Sequence, residues 1–192
     1  VEESVIIKKA RQGDNRALSK LVNSYSERIY NLALRILRNK EDAEDVLQET
    51  FLNAIENLST FNERSSFFTW IYRIATNASL MKLRRKKVVY TEYLDHPDFE
   101  GNRNEKYLAD WSQDPAVHID EKEVKRILDQ AINDLSEIYR AVFILRDVED
   151  LSIKETGKIL DISEENVKIR LRRARIFLRD RLAEYFSERV NT

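Results

Sequence analysis

Apolar side chains recur at helical spacing along most of the chain. Residues 5 to 12 can begin a helix, which Gly13-Asp14 interrupts. Beyond that break, Leu18, Leu21, Val22, Tyr25, Ile29, Leu32, Ala33 and Ile36 return at intervals of three and four and predict one long amphipathic helix. After Asn39, the positions Ala43, Val46, Leu47, Thr50, Phe51, Ala54, Ile55 and Leu58 predict another, ending near Ser59 and Thr60 with its acids on the opposite face. The polar interruption from Phe61 to Ser66 precedes a helix in which Trp70, Ile71, Ile74, Ala75, Ala78 and Met81 face neighbours.

Helical character then falls, although Tyr107, Leu108 and Trp111 can anchor a short segment. It resumes over 120–135 and again over 138–146, where Val142, Phe143 and Leu145 point to a core. Ser152-Ile153-Lys154-Glu155 has the spacing of a capping box, with the serine hydroxyl and the glutamate carboxylate each able to satisfy an orphan N–H. A short helix, the break Leu160-Asp161-Ile162 and a capping Ser163 follow. Val167, Leu171, Ala174, Leu178 and Leu182 then line an inward face, while Lys168, Arg172, Arg175 and Arg179 lie elsewhere, which reads as a helix-turn-helix.

Composition fits this pattern. With 3 glycines and 2 prolines in 192 residues, few tight turns are available, and the expected fold class is all-α. The absence of cysteine excludes disulfides, thiolate metal sites and a cysteine nucleophile. His96 and His118 share one charged stretch and give no basis for a histidine metal centre or catalytic triad. No glycine-rich phosphate loop is present, so ATP hydrolysis is not expected. No leader pattern or spanning apolar run occurs, and a soluble, cytoplasmic protein without membrane insertion is the expectation.

The net charge of -1 conceals strong segregation. Six acids oppose Lys40 alone over 40–60, and seven bases oppose Glu63 alone over 62–87, where Phe67, Phe68, Trp70 and Tyr72 also sit. Ten acids against three bases over 92–123, with Pro97 and Pro115 inside, mark a linker between a domain at 1–90 and another at 124–192, with the acidic connection itself placed at 91–123. Seven bases against three acids over 164–182 make a second basic surface. A polyanion touching both ends and avoiding the middle suits this layout. Asp42, Asp45 and Glu49 are spaced to share one acidic helix face, which can be an ordinary solvated surface, while a metal site would need convergent ligands that a single carboxylate stripe does not establish.

The block Asp42-Ala43-Glu44-Asp45-Val46-Leu47-Gln48-Glu49-Thr50-Phe51, followed by Phe68-Thr69-Trp70-Ile71-Tyr72-Arg73-Ile74-Ala75-Thr76-Asn77, resembles region two of bacterial extracytoplasmic-function sigma factors. Asn133-Asp134-Leu135 through Phe143, and Leu151-Ser152 through Arg175, resemble region four of the same family. One departure is Ala17-Leu18, where relatives often have phenylalanine after the alanine. The resemblance implies an initiation factor that carries no catalysis or cofactor of its own, binds core RNA polymerase, recognises minus-thirty-five and minus-ten promoter elements and promotes local melting. It also implies an anti-sigma factor as partner, and a linker running through polymerase near the RNA-exit path.

Residue by residue, the resemblance places Asp45, Gln48, Glu49 and Leu52 against the polymerase clamp. It makes the connection after Phe61 a pocket for a flipped base of the melted nontemplate strand, with Asn62, Arg64, Ser65 and Ser66 as polar contacts. Arg73, Asn77, Arg84 and Arg85 then follow that strand. On the second helix of the helix-turn-helix, Lys168, Ile169, Arg172 and Arg173 correspond to base-facing positions for duplex DNA, and Arg170 and Arg175 to phosphate positioning. Two other readings compete: a helix-turn-helix repressor acting on duplex DNA alone, with the first domain for dimerisation, and a charged structural adaptor.

Overall fold

The computed structural model describes residues 2–61, 65–88 and 121–190. All the described elements are helical: α1 (Glu2–Arg11), α2 (Asn15–Leu37), α3 (Lys40–Glu56), a 3-10 turn (Leu58–Thr60), α4 (Phe67–Val88), α5 (Glu121–Asp134), α6 (Glu137–Phe143) with a π turn (Ile144–Val148), α7 (Ile153–Leu160) and α8 (Glu164–Val190). The Tyr107–Trp111 segment, both histidines and most of the acidic linker lie outside the described residues.

Local chemistry sets the helix boundaries. Gly13 takes the left-handed backbone at φ 84°, and Asp14 then caps α2 by accepting the N–H groups of Arg16 and Ala17 at 2.8 and 3.2 Å. Asn39 caps α3 through the N–H of Asp42 at 2.9 Å. Ser152 and Glu155 form the expected capping box on α7, and Ser163 caps α8 through the N–H of Asn166 at 3.2 Å. Between α7 and α8, Asp161 adopts φ 57°, and a Cβ on Gly157 would meet the carbonyl oxygen of Ile162 at 2.9 Å. Glycine is therefore required for the close turn of the helix-turn-helix.

The amino-terminal helices α1–α4 and the carboxy-terminal helices α5–α8 each bury apolar faces, and the two sets also pack on each other. Ala131, Ile132, Leu135, Ala174 and Leu178 join α5 to α8, while Val142, Val167 and Leu171 join α6 to α8. One larger cluster runs from Leu21, Ile29 and Leu32 of α2 through Phe67, Ile71, Tyr72 and Ala75 of α4 to Ile144, Leu145, Leu151 and Ile159 of the second half. Full burial of an isoleucine or leucine stabilises by about 1.5–3 kcal/mol, against about 0–1 kcal/mol for an exposed ion pair. The seam is held chiefly by this apolar contact.

Polar groups add directionality. Arg140 is buried and donates to the Ile36 carbonyl of α2 at 3.0 Å and to the Asn133 and Leu135 carbonyls of its own half. Burial lowers its pKa from the usual arginine value. Glu149 accepts from Arg35 of α2 and from the Tyr72 hydroxyl of α4, the latter at 3.2 Å. Burial first, and then the Glu149 charge, push the Tyr72 phenol well above the ordinary tyrosine value.

Three side chains face differently from their periodicity. Met81 and Ile55, expected inward, are exposed, and Asp42, expected on the outer acidic face, is buried. Asp42 lies 3.4 Å from the Lys82 ammonium, which also contacts Asp45 at 2.5 Å, so a lysine from α4 divides the acidic stripe. Those hydrogen bonds, with Asp45 foremost, raise the Lys82 pKa. Among the described residues, no helix is long and apolar enough to cross a membrane.

Candidate nucleic-acid interface

Three surfaces carry the residues singled out in the sequence. The first is on α3, where Asp45, Gln48, Glu49, Leu52, Asn53 and Glu56 line one open hollow. Leu52 is 63% exposed with Ile55 exposed nearby on the same helix, so an apolar ridge stands within an acidic surface. Such a surface fits a basic partner that also offers an apolar contact.

The second surface is a cavity of about 410 Å3 lined by Thr60, Phe61, Ser65, Thr69, Trp70, Arg73, Lys158 and Asp161. Its volume lies within the range of about 300–1,000 Å3 common for small-molecule sites. Phe61 and Trp70 have ring centroids 5.1 Å apart, and Phe67 lies 5.7 and 5.6 Å from them. Phe61 and Trp70 line the cavity, with Phe67 packed behind them, beside the polar mouth made by Ser65, Thr69 and Arg73. Trp70 is half-buried, serving both core and cavity. Across α4 a second hollow gathers Glu49, Asn53, Arg73, Asn77 and Met81, so Arg73 borders both.

The cavity has a lid from the other half of the chain. Asp161, at the end of α7, pairs with Arg73 at 3.2 Å, and Lys158 completes the rim. Farther along α4, Arg84 pairs with Glu137 of α6 at 3.3 Å, while Arg85 is exposed. Ser66 is taken up locally: its hydroxyl accepts the Thr69 N–H at 3.1 Å and so caps α4. Asn62 and Arg64 lie outside the described residues.

The third surface is the outer face of α8. Lys168, Ile169, Arg172 and Arg173 are exposed on it, Ile169 by 42%, and Arg170 is half-buried. The Arg173 guanidinium donates to the Tyr139 hydroxyl at 3.3 Å. Arg175 makes a two-pronged contact with Asp147 at 2.8 and 2.7 Å, and these hydrogen bonds raise its pKa. The residues expected to face bases and those expected to face phosphates thus share one helix, with Arg175 already anchored to Asp147.

Sequence reasoning did not find Lys158 or Asp161 as parts of the cavity, nor Arg11 as a support behind its Phe61 wall. Asp161 could be read only as a turn residue, and Arg11 acts across 47 and 50 residues of chain through bonds to the Leu58 and Phe61 carbonyls.

Comparison with known proteins places this geometry. Residues 21–88 match the family description Sigma-70 region 2, and residues 125–178 match Sigma-70, region 4. The chain is 36% identical over 184 residues to the ECF RNA polymerase sigma factor SigW of Bacillus subtilis (strain 168), covering 93% of this chain and 95% of that one. It is 30% identical to the RNA polymerase sigma-H factor of Pseudomonas aeruginosa, over 91% of this chain and 90% of that one. Among solved structures, CnrH in complex with the cytosolic domain of CnrY is similar in fold, with a TM-score of 0.67 at 22% identity over 96% of this chain and 99% of that one.

Proposed function

The chain belongs to the extracytoplasmic-function RNA polymerase sigma factors, and from that premise we propose how its two halves divide the binding of core RNA polymerase and promoter DNA. Residues 1–90 form the region-two domain, 124–192 the region-four domain, and 91–123 the connection between them. The exposed Leu52 amid Asp45, Gln48 and Glu49 docks on the polymerase clamp, with the carboxylates making charge-assisted hydrogen bonds to basic clamp side chains. Asp45 exchanges its contact with Lys82 for one of these.

The cavity beside Phe61 takes an unstacked base of the nontemplate minus-ten strand. The observation that carries this assignment is the joining of an aromatic wall, Ser65 and Arg73 at one cavity next to a loop. Stacking on such a wall contributes about 1–3 kcal/mol per base, enough to offset unstacking and so favour local melting. Ser65, with Asn62 and Arg64 of the loop, supplies polar contacts while Ser66 caps α4, and Asn77, Arg84 and Arg85 continue along the phosphates. Because Lys158 and Asp161 line the same cavity, strand capture requires α7 to move away from α4.

On α8, Lys168, Ile169, Arg172 and Arg173 read the minus-thirty-five duplex, while Arg170 and Arg175 position its backbone. The phosphodiester bond is made by polymerase, and this chain spends its binding energy on promoter choice and melting. The protein acts in the cytoplasm, where an anti-sigma factor restrains it. The fold's likeness to a sigma factor solved with the anti-sigma factor NepR supports that partner class.

Transcription with purified core polymerase on a randomised promoter library tests this reading. The native chain is expected to select paired upstream and minus-ten elements, and a Gln48→Ala, Glu49→Ala double substitution to lose initiation while retaining its helix content. Strong duplex binding with no selected initiation would instead indicate an independent repressor.

A further inference from the structure

The base cavity depends on a helix that precedes the matched region-two segment. Arg11 is the last residue of α1, ten positions before the family match begins at residue 21. Its Nε donates to the Leu58 carbonyl at 3.2 Å and its terminal nitrogen to the Phe61 carbonyl, while the guanidinium carbon lies 5.5 Å from the Phe61 ring centroid. Leu58 opens the 3-10 turn and Phe61 ends it, immediately before the loop assigned to base capture. One planar cation therefore satisfies carbonyls at both ends of the loop's stem and rests on the aromatic ring that walls the cavity.

We propose that Arg11 is a positioning residue for single-strand capture, fixing the buried Phe61 and through it holding the half-buried Trp70 in the orientation that stacks a base. This rests on the cavity being the base site. Helix α1 is anchored without Arg11, because Ile7 and Ala10 are buried in the core and Glu3 accepts from the Tyr25 hydroxyl. Arg11 thus acts on the stem of the loop in addition to helping dock a helix that its neighbours already hold. Phe61 is buried and contacts Phe67 and Trp70 edge-on or tilted, so a shift of its backbone is transmitted to the face offered to a base. Preorganising such a wall reduces the ordering entropy lost on binding.

The test uses holoenzyme assembled from the full chain and core polymerase, with a single-stranded oligonucleotide recovered from a randomised pool on the native protein. The same oligonucleotide is then scanned with single abasic positions. Native holoenzyme should show one position where base removal sharply weakens binding. Arg11→Ala should lower affinity for the intact oligonucleotide about tenfold, the scale of losing a charged hydrogen-bond pair, while barely changing affinity for the abasic one. Arg11→Lys, which keeps charge but loses the fork, should fall between, and Arg11→Gln serves should Arg11→Ala melt early. Core binding and duplex binding should stay at native levels. Undiminished discrimination in Arg11→Ala, or equal loss across strand, duplex and core binding, overturns the positioning role alone. A native protein with no abasic-sensitive position overturns the base-site reading and the role of Arg11 together.

Discussion

The two regions proposed to face DNA stand in different states in the same structure. On α8, Lys168 and Ile169 are exposed on the face assigned to a duplex. On α4, Arg73 is paired with Asp161, Arg84 with Glu137, and the aromatic cavity is rimmed by Lys158 and Asp161 of the opposite half. On the proposed assignments, duplex readout draws on an exposed helix face, whereas strand capture requires the seam between α4 and α7 to open. The apparent strand affinity is then expected to be the intrinsic one reduced by the fraction of molecules that are open. The closed seam taxes one DNA activity and spares the other.

Breaking the seam at its buried polar centre should have the largest effect. Arg140→Met leaves the Ile36, Asn133 and Leu135 carbonyls without their donor. A stability loss of about 3 kcal/mol in urea unfolding is expected, with duplex binding reduced because the second half loses the donor to its own Asn133 and Leu135 carbonyls, and strand affinity raised because the bond to Ile36 across the seam is gone. An unchanged unfolding midpoint would show that water takes over this role.

Glu149→Gln is the sharper probe. Its side chain is only 12% exposed and joins Arg35 to Tyr72 across the seam, so losing its charge weakens closure by about 1 kcal/mol. Affinity of the free chain for a minus-ten single strand should rise about fivefold, with duplex affinity constant. Fluorescence anisotropy on both probes reads the split, and a parallel rise in the two would count against it.

Asp161→Asn should act in the same direction and more weakly. The pair with Arg73 is largely solvated, worth at most about 1 kcal/mol, and a twofold gain or so in strand affinity is expected at low salt, fading as salt screens the native pair. Competition titrations at two ionic strengths resolve such a difference.

The smallest effect concerns pH. Hydrogen bonds from the Ser152 hydroxyl and then its backbone N–H hold the Glu155 carboxyl below the usual glutamate range. A depressed acid stabilises above its unfolded value of about 4.3, and the contribution is lost as pH falls through the folded value. Between pH 5 and pH 3 the native chain should lose about 0.5 kcal/mol more than Glu155→Gln, because the carboxylate is near the surface. The loss belongs to the duplex-reading half, so acid should narrow the difference between the regions. Urea midpoints of both proteins across that range check it.

Much of the fold was legible because its signals are local. The spacing of Leu21, Tyr25 and Ile29, the break at Gly13-Asp14 and the box at Ser152 to Glu155 act within one or two turns, and each appears where the pattern puts it. Val167, Leu171 and Ala174 are buried as their periodicity requires. What was not legible is the partner of each charge. Asp42 meets a lysine of another helix, and Glu149 and Asp161 resemble solvated turn residues until α2 and α4 lie beside them. Tyr72 gave no hint of being almost wholly buried, since that depends on the second half covering α4. Of the assigned site residues, the α3 set and the Ser65–Arg73 pair come together at single hollows, whereas Ser66 is consumed by capping its own helix.

Asp161 does two things at once, holding the left-handed turn of the helix-turn-helix and meeting Arg73 across the seam. Asparagine tolerates that same backbone as readily as aspartate. The two residues are separated by a single base change in the genetic code, so the balance between the closed and strand-ready forms can drift by one mutation without rebuilding the turn. A lineage can thus retune how eagerly this factor engages melted DNA while leaving its duplex-reading helix untouched.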